Sequence, residues 1–163
     1  MTELIFLCQQ SGNGSGFSKA QTGQSGPLPL LSELEQFKVK RVYSSSIFEY
    51  EKAAERISSH LNCEKSITES LNTEDTVWGE ESLISIQRRV VEFAEGVCSG
   101  SEGSFLVVSP VIPIKLLVVW ICGMPIDLVF RLRVDSGSMS VLRFFEFSAE
   151  LRCLNVHPEV ISP

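Results

Sequence analysis

The sequence predicts an α/β fold with a mostly parallel central sheet. Three observations carry that reading. Phe105–Ser109 is an apolar run of strand length that meets Pro110 and continues as an apolar, helix-like stretch to Pro125, a strand turning directly into a helix. The apolar run Leu4–Leu7 and amphipathic helical patterns around 30–37, 53–61 and 83–97 stand ahead of it, the mixture of strand and helix from which parallel sheets are built. With 44% apolar residues in 163, the chain buries roughly two-thirds of its unfolded surface as one domain, residues 1–163, without disulfide staples.

Leu4–Leu7 reads as a buried strand followed by the Gly/Ser loop Ser11–Gly16. The loop's alternating glycines do not make a dinucleotide fingerprint, because Phe17 stands at the third glycine position and no helix pattern follows. Gln21–Pro29 reads as loop, and Leu30, Leu31, Leu34 and Phe37 fall on one face of a short helix. After residues 40–46, Ala53, Ala54, Ile57 and Leu61 mark a second helix. Glu49 and Glu51 in its first turn and His60 in its last suit the helix dipole.

Ser66–Trp78 reads as polar and irregular. Leu83, Ile86, Val90, Phe93, Ala94 and Val97 form the buried face of a long helix, with Arg88, Arg89, Glu92 and Glu95 largely outward, ending in a loop at Ser99–Gly103. Beyond Pro125, the alternation from Ile126 to Val134 predicts a strand. The turn Asp135–Ser138 and the run Met139–Phe147 complete an antiparallel hairpin.

A net charge of −6 and the lack of any Lys/Arg block argue against direct nucleic-acid binding. Cys8, Cys63, Cys98, Cys122 and Cys153 are an odd, scattered set that suggests a reducing compartment. The single His-x-x-Cys at His60 and Cys63 has no second ligand pair, so no metal or other cofactor is expected. The N-terminal apolar stretch is too short for a signal peptide, and the prolines and Lys115 within 105–125 favour a buried strand and helix over a membrane span.

Ser109 followed by Gly123-x-Pro125, Tyr43-Ser44-Ser45, and Glu81-Ser82 before the long helix resemble the histidine phosphatase (phosphoglycerate-mutase-like) superfamily, through about Val156. The resemblance implies a three-layer α/β/α sandwich. It sets the family's Arg-His-Gly against Cys8, Gln9 and Gln10, its early-helix arginine against Glu49, its second histidine against Pro110, and its general-acid glutamate against Glu69. Glutamine has no titratable ring nitrogen, so a phosphohistidine cannot form at Gln9. At about 4 Å and an effective dielectric near 20, a unit charge is worth about 4 kcal/mol, so a glutamate in place of an arginine opposes phosphate binding. Cys8 reads as an inert buried thiol and His157 as structural.

With these substitutions the expectation is a protein that is not an enzyme: a pseudo-phosphatase serving as a protein-interaction module. Divergent members of the family include a fungal subunit of the RNA polymerase III transcription factor TFIIIC, which makes TFIIIC subunits the expected partners and the nucleus the expected location, with self-association as the other partner choice. The alternatives are a residual phosphatase or mutase with rearranged ligands, and a regulator binding a small molecule in the altered pocket. Residues 111–122 are apolar on almost every side, which requires cover from neighbouring helices or from a partner. On the second reading Leu116, Val119 and Trp120 form the interface.

Overall fold

The computed structural model describes residues 1–8, 28–73 and 82–157. Elements in chain order are β1 (Thr2–Cys8), α1 (Leu28–Glu35), β2 (Arg41–Ser45), α2 (Phe48–Leu61), β3 (Glu64–Thr68), a 3₁₀ turn (Glu69–Leu71), α3 (Leu83–Gly100), β4 (Gly103–Ser109), α4 (Val111–Ile121), a 3₁₀ helix (Ile126–Arg131), β5 (Met139–Phe144) and β6 (Ala149–Val156). The six strands form one sheet in the order β3-β2-β4-β1-β5-β6. The first four of these are mutually parallel, and β5 and β6 run antiparallel at one side.

Strand alternation divides the core between the two faces of the sheet. Leu4, Phe6, Phe105, Val107, Leu142 and Phe144 meet α3 and α4 on one face. Ile5, Leu7, Val42, Leu106, Val108 and Val141 meet α1 and α2 on the other. The expected three-layer α/β/α architecture is therefore the observed one. Central strands β1 and β4 are covered on both faces, which is why they read as unbroken apolar runs. Glu3 is the exception within β1. It is buried and accepts from Arg143 Nε at 2.6 Å and Arg152 Nη1 at 3.0 Å, so two charges neutralise it across β5 and β6.

Helix α4 begins after Pro110, which occupies the position before the first helical turn rather than within it. It stops in a Schellman motif: Gly123, at φ 62°, donates to the Trp120 carbonyl at 3.1 Å and Met124 donates to Val119 at 2.9 Å. That local geometry explains the Gly-x-Pro frame, since a Cβ disfavours the left-handed conformation at position 123 and Pro125 blocks further helix. The helix is covered within the fold by α3, the 126–131 turn and the sheet. Leu116 and Val119 are 0% exposed, so both are corrected from interface residues to core.

Three expectations about local structure also change. Glu64–Thr68 is a strand at the sheet edge, not irregular chain; its exposure on the edge removes the apolar alternation that marks half-buried strands. Ile126–Arg131 is a 3₁₀ helix rather than a strand, and its three-residue turn brings Ile126, Val129 and Leu132 onto one inward face. The antiparallel hairpin accordingly joins β5 to β6, while β5 also pairs with β1.

Candidate functional site

The topology creates one crevice by construction. Adjacent strands β1 and β4 lead to helices on opposite faces, α1 with one core cluster and α4 with the other, so their connections diverge at the carboxyl ends of the strands. Cys8 pairs in register with Ser109 at this point. Ser45 ends β2, Thr68 opposite it ends β3, and Glu49 and Glu69 begin the elements that follow. The parallel arrangement thus brings Cys8, Glu49, Glu69 and Pro110 to one edge of the sheet. Cys8 and Pro110 are buried there, and both glutamates are exposed. Gln9, Gln10, the Gly/Ser loop and Glu81 lie outside the described residues.

Antiparallel β5 and β6 deliver further groups to the same edge. Met139 at the start of β5 pairs with Leu7 near the end of β1 and with Val156 at the end of β6, so the turn 135–138 lies beside Cys8 and His157 lies at the same edge on the far side of β5. Gly137 donates to the Cys8 carbonyl at 2.8 Å, and the Cys8 N–H donates to the Ser138 carbonyl at 3.0 Å. Asp135 is held by Arg133 Nε at 2.9 Å and by Asn155, whose Nδ2 donates to Oδ2 at 3.0 Å. The His157 ring nitrogen stands 3.7 Å from the same oxygen. Asn155 and Arg133 keep the Asp135 carboxyl below its ordinary range.

Burial pushes the Cys8 thiol up to about 11, against a smaller downward pull from Lys115 and with a small upward push from Asp135. The charges that act on Cys8 are therefore Lys115 and Asp135. Lys115 is half-buried, one turn into α4, and has no ion-pair partner among the described residues. On the β2 side, Asn72 Oδ1 accepts from Ser45 Oγ at 2.7 Å and its Nδ2 donates to Ser46 Oγ at 2.7 Å. Arg89 reaches from α3 to the carbonyls of Ser70 and Asn72, fixing the turn that carries Glu69. Ser44 Oγ is buried without a hydrogen-bond partner among the described residues.

Lys115 and Asp135 are not singled out as site residues in the sequence, and His157 reads there as structural. The signal for Lys115 was present, because it is the single charge in the run 105–125. Asp135 and His157 gave none, because only the antiparallel pairing of β5 and β6 brings them to β1. Among the described residues no group of three or more His, Cys, Asp or Glu side chains could hold a metal ion. No helix among them is long and apolar enough to cross a membrane.

Comparison with known proteins agrees with this geometry. No curated protein matches the chain by sequence. Among solved structures, Bacillus stearothermophilus YhfR matches with a TM-score of 0.76 at 15% identity, covering 93% of this chain and 96% of that one. Entamoeba histolytica phosphoserine phosphatase matches at 0.73 and 13%, covering 96% and 98%. A mycobacterial glucosyl-3-phosphoglycerate phosphatase matches at 0.73 and 12%, covering 95% and 99%.

These neighbours and the family match overturn the expectation that the chain is not an enzyme. Two of them are phosphatases that match its fold over nearly its whole length, and substitutions at four aligned positions do not suffice to exclude catalysis. Nor do they support a place in TFIIIC, in transcription or in the nucleus. The model of the histidine phosphatase superfamily (branch 1) matches residues 70–157, more than half of the chain, and the protein belongs to that superfamily.

Proposed function

We propose that the protein is a phosphomonoester hydrolase whose centre has been rearranged around Lys115, Asp135 and His157. The observation that carries the reading is Lys115, a cation without a carboxylate partner among the described residues, whose field reaches the crevice between β1 and β4. The leading N–H groups of α4 supplement that charge in holding a phosphoryl group.

With glutamine at position 9 there is no phosphohistidine, so the reaction is direct displacement by water. The water oxygen bonds to phosphorus as the ester P–O bond breaks. Protonated His157, steadied by Asp135, gives its proton to the departing oxygen, and the proton lost by water passes to the released phosphate. Exposed Glu49 and Glu69 at the same edge oppose a bare phosphate dianion and favour an ester that also carries an ammonium group.

Release of inorganic phosphate from phosphoserine, phosphoethanolamine and 3-phosphoglycerate tests the proposal. Turnover of the two amino esters is expected to exceed that of phosphoglycerate. It should fall about tenfold or more in Lys115→Gln and about a hundredfold in His157→Gln, the ordinary range for loss of a general acid. No phosphate release above the blank from any of the three would overturn the reading, as would variants as active as the parent protein.

A further inference from the structure

At the opposite end of the parallel strands lies a second concavity of about 650 Å³, bounded by Glu95, Cys98 and Ser99 of α3, by Trp120, and by the β5–β6 turn from Phe144 to Ala149. The turn is closed by the Phe145 N–H donating to the Ser148 carbonyl at 2.8 Å, which holds Glu146 and Phe147 at its tip. Trp120, Phe145 and Phe147 are 39%, 43% and 92% exposed, although aromatic rings of this size are normally used to fill a core or a contact. Among the described residues no lysine or arginine lines the concavity. The carboxylates of Glu95 and Glu146 have no ion-pair partner among the described residues.

We propose that this groove docks a peptide segment of a partner protein, one that places an aromatic or large aliphatic side chain between Trp120 and Phe147 and a lysine or arginine against Glu95 and Glu146. Charge selects this occupant. A second copy of the chain would bring the same two carboxylates, and a net charge of −6, against themselves. A basic segment is drawn to the acidic rim and fixed by the aromatic floor, the arrangement in which interface residues contribute most. The crevice of β1 and β4 lies at the other end of the sheet, so both can be filled together. This docking does not depend on the hydrolase reading.

A random-peptide library displayed on phage, selected on the whole protein and counter-selected on Phe147→Ser, is the test. Phe147 is almost fully exposed, so its replacement leaves the core untouched. The expected consensus pairs a large apolar residue with lysine or arginine. Synthetic consensus peptides should bind about tenfold or more weakly to Phe147→Ser and to Glu146→Lys, and more weakly at high salt. The proposal fails if no consensus emerges, if the consensus lacks basic residues, or if the peptides bind the variants equally. It fails also if sedimentation shows a dimer that Phe147→Ser dissolves, since the groove then belongs to a second copy.

Discussion

The two ends of the parallel strands are made of different material. At the carboxyl end, hydroxyls, amides and carboxylates are bonded to one another and to backbone carbonyls, as Asn72 does with Ser45 and Ser46 and Asn155 does with Asp135. At the amino end, Trp120, Phe145 and Phe147 stand partly or wholly in solvent beside two carboxylates with no ion-pair partner among the described residues. A network that satisfies itself is held in place before anything binds, whereas exposed rings leave their burial energy for an occupant. The first end is built for geometry and the second for contact.

The largest effect is expected from what the two ends share. Phe6 lies on β1, fully buried between α3, α4 and the sheet. Phe6→Ala should cost about 3–5 kcal/mol, measured by urea unfolding, because the cavity it leaves is bounded by a sheet that cannot collapse. Tryptophan fluorescence from Trp120 should then report the same midpoint as circular dichroism. Separate transitions would mean that the amino end is a cooperative unit of its own.

A smaller and one-sided effect is expected from Arg89→Ala. Its guanidinium bonds the carbonyls of Ser70 and Asn72, and removing it frees the turn that carries Glu69. The cost should be roughly 1–3 kcal/mol, the range for hydrogen bonds from a charged donor. Hydrogen exchange should accelerate at residues 69–72 and the end of β2 while protection around Trp120 stays as it was. Acceleration at both ends would break the distinction between them.

The same contrast explains what was legible in the sequence. α2 and α3 write their burial into a helical period of apolar residues, and β1, β4 and α4 write theirs into unbroken apolar runs. β3 has no such period because it lies at an edge, and Ile126–Arg131 carries a period of two that the backbone reads as three. At the site, Cys8, Glu49, Glu69 and Pro110 were legible only through the resemblance to the family's motifs, and the fold places each at the end of a strand or the start of the element after one. Asp135 comes beside Cys8 only through the pairing of β5 with β1, more than a hundred positions away, His157 joins Asp135 through β6, and Arg89, assigned to an outward face, turns back to hold two carbonyls.

The smallest effect lies in the thiols, and it sharpens the comparison because one cysteine sits at each end. Cys8 stands at the carboxyl end with Lys115 drawing its pKa down, yet burial outweighs the lysine and sets it at about 11. Cys98 lines the groove, where burial first and the Glu95 carboxylate second push it up to about 12. Cys122, at the end of α4, is exposed. Titration with a disulfide reagent at about pH 8 should therefore modify Cys122 first, Cys98 more slowly, and Cys8 only at the rate of unfolding. The pKa of each of these two thiols is raised above the ordinary 9.0, so the neutral form favours the folded state. Their contribution is complete below about pH 9 and is lost as the pH rises through about 11 to 12. Cys8→Ser and Cys98→Ser should each flatten the fall in urea midpoint across that alkaline window. A Cys8 as reactive as Cys122 at about pH 8 would mean that Lys115, rather than burial, governs the carboxyl end, and that the crevice is more open to anions than its packing implies.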